Sequence, residues 1–126
     1  MNRVDLLAQL IHLKQRYAPT GESNEQLAAH FQDELDNREI IMIQEEGQVV
    51  AFCDWSWVSS LEDMEKARKG IPTTGEALFL LNVVCTRPGI IWRLKEALPA
   101  ARWVIGGHRD KIRAPHGLPD SFFQVA

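Results

Sequence analysis

The sequence predicts a single α/β domain built on a mixed, mostly antiparallel sheet with helices on both faces. Three observations lead to that class. Two amphipathic helical stretches come before any strand signal, in residues 3–17 and 23–36. A run that is apolar apart from Asn82, ALFLLNVVC at 77–85, reads as a central strand. The last regular segments then follow the order strand, helix, strand, which makes a C-terminal crossover. Helices that gather ahead of the strands, rather than alternating with all of them, argue against a Rossmann-type fold.

Each element has its own local reason. In residues 3–17, Val4, Leu7, Ile11 and Leu13, with Leu6, Leu10 and Tyr17, recur at helical spacing, and Pro19 stops the helix. Ser23 with Gln26 three residues later forms the pattern of a capping box, and Leu27, His30, Phe31 and Leu35 supply the apolar face of the second helix. Arg38 to Ile43 and Gln48 to Val58 read as two strands joined at Glu45-Glu46-Gly47, a hairpin. Ser60 caps a short charged helix that ends near Lys69, before Gly70 and Pro72. After the central strand, Pro88 suits the first position of a helix running to about Leu98, and Arg102 to Gly106 is a last short strand. The expected organisation is one body, residues 1–107, with a basic Gly/Pro-rich tail, 108–126, packed on it or extending from it.

Composition restricts the function classes. The chain has 126 residues, 45% hydrophobic and 25% charged, with a net charge of −3. These are globular values that exclude a disordered tail, a collagen-like fibre and a coiled coil. The net charge gives no reason to expect a nucleic-acid partner, and no apolar stretch is long enough for a membrane span. Absence of a signal-peptide pattern makes the cytoplasm the expected location. The charge is distributed unevenly. Residues 1–86 carry seven basic and fourteen acidic side chains, whereas residues from 87 onward carry seven basic and three acidic ones. This is either a dipolar, solubilising surface or a sign of an anion site in the C-terminal part.

Cys53 and Cys85 sit in apolar runs without a CxxC pair, as buried thiols do, and no ligand spacing supports a metal site. Trp55 and Trp57 share a strand face with Cys53 and Val49, either as sheet packing or as the wall of a binding surface. Asp54 is unusual in a strand interior, on the face of Val50, Phe52 and Ser56. The tail carries His108, Arg109, Lys111, Arg113 and His116 and ends in SFFQVA, whose phenylalanines are expected to dock on the body or on a partner.

The element order, together with LFLLNVVCTRPGIIWRLKEAL, resembles the GNAT superfamily of acyl-CoA-dependent N-acyltransferases, in a trimmed version like the small domains that phages encode. The resemblance spans roughly residues 2–107 and is sequence-like around Leu78–Leu98. It implies that the backbone of Val83, Val84 and Cys85 lies along an acyl-CoA thioester. It also implies that the turn at Arg87 and Gly89 holds the coenzyme's pyrophosphate on the amides of Gly89, Ile90 and Ile91, with Arg87 or Arg93 as charge partner. The implied reaction transfers an acyl group, acetyl in the simplest case, to an amine on a small molecule or a protein. For the base that step needs, the sequence offers Asp54 and Glu76. Arg87 and Gly89 are separated by a single residue, Pro88, and the single tyrosine, Tyr17, is on the first helix. These departures keep open a second reading, a non-enzymatic interaction module with a protein partner on the tail. A homodimer that completes the sheet is a further expectation.

Overall fold

The structure is a computed structural model that describes residues 1–106 and Phe122. The elements are α1 (Arg3–Tyr17), α2 (Asn24–Asn37), β1 (Ile40–Glu45), β2 (Gln48–Val58), α3 (Leu61–Arg68), β3 (Ala77–Cys85), α4 (Ile91–Ala97) and β4 (Trp103–Gly106). Among the described residues the strands form one sheet in the order β1-β2-β3-β4. β1 is antiparallel to β2 and β3 is parallel to β4, so the sheet is mixed, in an α/β architecture. No helix among the described residues is long and apolar enough to cross a membrane.

Local chemistry sets the element ends. The Asn2 side chain accepts from the Asp5 amide, Ser23 and Gln26 form the expected capping box, and Ser60 accepts from Asp63. The hairpin turns on Glu46 and Gly47, with φ of 52° and 77°. Two central residues with positive φ match the right-handed twist of the strands. Gln9 of α1 ties this hairpin down, its side-chain oxygen accepting from the Val49 amide at 2.6 Å.

A β-bulge follows. Gln44 pairs with Val49 and Ile43 with Ala51, which leaves Val50 without a partner across β1. The bulge resets the in–out alternation, so Val49 joins the core cluster of Phe52 although the two are three residues apart. Val49 therefore does not share the face of Cys53, Trp55 and Trp57 that strict alternation predicts, because the bulge shifts the register by one residue.

The chain divides into two compact units, Met1–Asp54 with Asn82–Leu98, and Trp55–Leu81 with the chain from Pro99 onward. The first has a core of Leu10, Leu13, Leu27, Phe31, Phe52 and Val84. Phe31 and Phe52 meet edge to face with ring centroids 5.4 Å apart. Burying side chains of this size contributes roughly 1.5–3 kcal/mol each. The second core gathers Val58, Met64, Ala67, Phe79, Ile105 and Phe122. Phe122, from the terminal SFFQVA, is only 2% exposed. The rest of the expected tail, with His108, Arg109, Lys111, Arg113 and His116, lies outside the described residues. Within the second unit Gly75 runs against the backbone of Val58 so closely that a Cβ would lie 2.1 Å from its carbonyl carbon.

Candidate functional site

β3 ends in a turn held from its first residue. Both the amide and the hydroxyl of Thr86 donate to the Val50 carbonyl, at 3.1 and 2.7 Å. Gly89 has φ of 86° with open space around it, so backbone conformation alone requires glycine there. This residue separates Pro88 from the helix. α4 therefore starts at Ile91, not at Pro88, and has no side-chain cap. Ile90 and Leu94 are buried and anchor the segment, while Trp92 is 64% exposed with the Lys95 ammonium over its ring.

Three charged residues meet beside this turn. Arg87 binds both carboxylate oxygens of Glu45, at 2.6 and 2.7 Å, and Arg93 reaches the same carboxylate at 2.9 Å. Arg87, with Arg93 adding to it, holds the Glu45 carboxyl below its usual value, and Glu45 raises that of Arg87. One carboxylate between two guanidiniums leaves a net positive charge, and both arginine side chains are about half exposed, at 50% and 52%. Of the strand residues read as flanking a thioester, Val83 is exposed, Val84 buried and Cys85 half-buried.

A second constellation lies within the same unit. Asp54, from β2, is completely buried. The Asn82 side-chain amide of β3 donates to its Oδ2 at 3.0 Å. His30 and Glu34 of α2 are one helical turn apart and face the same point. His30 Nε2 is 3.4 Å from Glu34 Oε2 and 3.7 Å from Asp54 Oδ2. Both carboxylate oxygens of Glu34 and Oδ1 of Asp54 are buried without a hydrogen bond. Burial, reinforced by the neighbouring charge of Asp54, drives the Glu34 carboxyl far above its usual range, so it stays protonated at neutral pH. Asp54 raises His30 against the opposing effect of burial. Burial, followed by Asp54, also pushes the Cys53 thiol up to about 12, which makes it inert. The cluster meets solvent along His30, whose side chain is 29% exposed.

Glu76 belongs to the other unit. It is exposed and borders an open cavity with Trp57, Thr73, Thr74 and Arg102. The structure therefore brings Arg87 and Arg93 together on Glu45, and gives Asp54 and Glu76 separate surroundings. The sequence places His30 on an apolar helix face and Asn82 as the polar exception in the central strand, and gives Glu34 no role. The signals present were a glutamate four residues after a histidine on that face, and one polar residue inside ALFLLNVVC.

No protein-family model matches the sequence, and no curated protein does. Solved structures do resemble the fold. The GphF GNAT-like decarboxylase in complex with isobutyryl-CoA superposes with a TM-score of 0.61 at 20% identity, over 83% of this chain and 62% of that one. The loading GNATL domain of CurA from Lyngbya majuscula gives a TM-score of 0.61 at 14% identity, over 83% of this chain and 61% of that one. The chain spans about three-fifths of the length of these neighbours.

Proposed function

We propose that this chain, whose fold is GNAT-like, binds an acyl-CoA and transfers the acyl group, acetyl in the simplest case, to an amine. The observation that carries this reading is the pairing of Arg87 and Arg93 beside the turn that ends β3, on a fold whose solved neighbour holds isobutyryl-CoA. Two half-exposed guanidiniums suit a pyrophosphate. The amides of Gly89, Ile90 and Ile91 line the same turn, and the thioester would run along Val83, Val84 and Cys85. In the reaction the amine nitrogen attacks the thioester carbonyl, the C–S bond breaks, coenzyme A leaves as the thiol, and the amine gives up a proton.

That proton needs an acceptor near the thioester. Glu76 lies seven positions ahead of Val83, roughly 23 Å of extended chain. Asp54 is bonded to Asn82, the residue next to Val83, so the geometry favours Asp54 over Glu76. Asp54 is sealed from solvent and acts through its cluster, at the edge that His30 opens to water. The acceptor is a small-molecule or protein amine, the setting cytoplasmic, and a homodimer compatible with the short sheet.

A second reading, a non-enzymatic interaction module on the same scaffold, is favoured by one observation: Glu45 already occupies both arginines. Calorimetric titration with coenzyme A and acetyl-CoA at modest salt separates the two. Saturable binding that weakens in Arg87→Ala supports the acyltransferase. No heat at millimolar ligand sinks it and leaves the module.

A further inference from the structure

We propose that His30, Glu34 and Asp54 form a binding site for one divalent cation of the zinc type. The three residues offer an imidazole nitrogen and two carboxylate oxygens, all within 4.8 Å of one another. His30 Nε2 stands 3.4 and 3.7 Å from the two oxygens. Those separations exceed the roughly 2.7–2.9 Å of a charge-assisted hydrogen bond. They match the edge of a tetrahedron with ligands about 2.1 Å from its centre, roughly 3.4 Å, which is the geometry zinc adopts with nitrogen and oxygen donors.

The second observation is independent of the spacing. Glu34, with its side chain 7% exposed, and Asp54, fully enclosed, together bury three carboxylate oxygens that make no hydrogen bond. Buried polar atoms are nearly always paired, and such orphans call for an explanation by an ion or water. Among the described residues neither carboxylate has a lysine or arginine partner. Cation binding displaces the Glu34 proton, and with a neutral imidazole the donors then carry two negative charges, which one divalent cation balances. Asn82 completes the arrangement from outside by donating to Asp54 Oδ2, as a partner that orients a metal ligand does. Three protein donors leave a fourth position, at the solvent-facing edge of His30, for water. The cation site stands whether or not the chain binds acyl-CoA. Only its role in taking the amine proton, through the bound water, rests on the acyltransferase reading.

The test uses the full chain, stripped with chelator and dialysed, then titrated with zinc chloride by calorimetry and measured for zinc by elemental analysis. One zinc per chain is expected, with a rise in melting temperature and, for cobalt as substitute, the visible absorption of a tetrahedral site. His30→Ala, partly exposed and so least disruptive to folding, and Glu34→Gln should each weaken binding by about tenfold or more, and Asn82→Ala by roughly tenfold. Circular dichroism reports whether each variant is folded. Absence of stoichiometric zinc at about 100 µM, well above the affinity of structural and catalytic zinc sites, overturns the proposal. So does zinc binding that is unchanged in folded His30→Ala, which would place the metal away from this cluster. Coenzyme A titrated with and without zinc is read separately, so loss of one activity does not imply loss of the other.

Discussion

Asn82 on β3 and Asp54 on β2 hydrogen-bond side chain to side chain at 3.0 Å, a polar pair inside two otherwise largely apolar strand segments. Removing the donor leaves the buried carboxyl with one fewer partner. In the chelator-treated chain Asn82→Leu should cost about 1–3 kcal/mol, the usual range for leaving a buried polar group without its partner. Urea unfolding with unchanged m-value measures it. A loss within experimental error would mean that water replaces the amide.

Gly75 is fixed by contact rather than by dihedral angle, since a Cβ there would lie 2.1 Å from Val58. Backbone cannot yield as a flexible side chain does. Gly75→Ala should therefore destabilise by about 2 kcal/mol or more. Gly106, where a Cβ would meet nothing within 4 Å, is the control. Gly106→Ala should change stability by less than about 0.5 kcal/mol. Paired thermal melts compare the two.

The pH response of the metal-free chain follows from Glu34 and His30. Both are raised in the folded state above their ordinary values of 4.5 and 6.5. Each then holds its proton more tightly folded than unfolded. The stability this gives is complete below the unfolded value and declines as pH rises above it. The melting temperature in chelator should fall steadily between about pH 5 and pH 8, Glu34 contributing throughout and His30 in the upper half. Glu34→Gln should flatten most of that fall. A melting temperature that climbs over this interval would contradict the protonated state of Glu34.

Glu45 and an anionic ligand compete for the same two guanidiniums in the acyl-CoA reading. Glu45→Gln should tighten coenzyme A binding by roughly two- to fivefold, since exposed ion pairs are weak. It should also steepen the salt dependence, as more unpaired positive charge meets the ligand. Arg87→Ala should do the reverse. Calorimetry at two ionic strengths reads both effects, and equal affinity in Glu45→Gln and the parent would remove Glu45 from the binding site.

How much of this was legible in the sequence depended on the range of the forces involved. α1, β2 and β3 have the bounds their residue patterns predicted, and Ser23 and Ser60 cap as expected, because capping and periodicity act within a few residues. The late start of α4 was missed because Pro88 at a helix start and Pro88 in a turn ahead of Gly89 share one local signature. The face of Val49 was missed because a bulge is decided by the partner strand. The grouping of His30, Glu34 and Asp54 joins a helix to a strand twenty residues further on. No spacing along the chain encodes that meeting, whereas the oddness of Asp54 in a strand interior is visible in the sequence.

The two compact units exchange the chain at Asp54/Trp55, Leu81/Asn82 and Leu98/Pro99, and the first two exchanges fall inside β2 and β3. Neither unit is therefore written as one continuous stretch. No single proteolytic cut releases one of them, and no restriction fragment of the gene carries one alone. A break at Asp54/Trp55 or at Leu81/Asn82 severs a strand midway and leaves both cores incomplete.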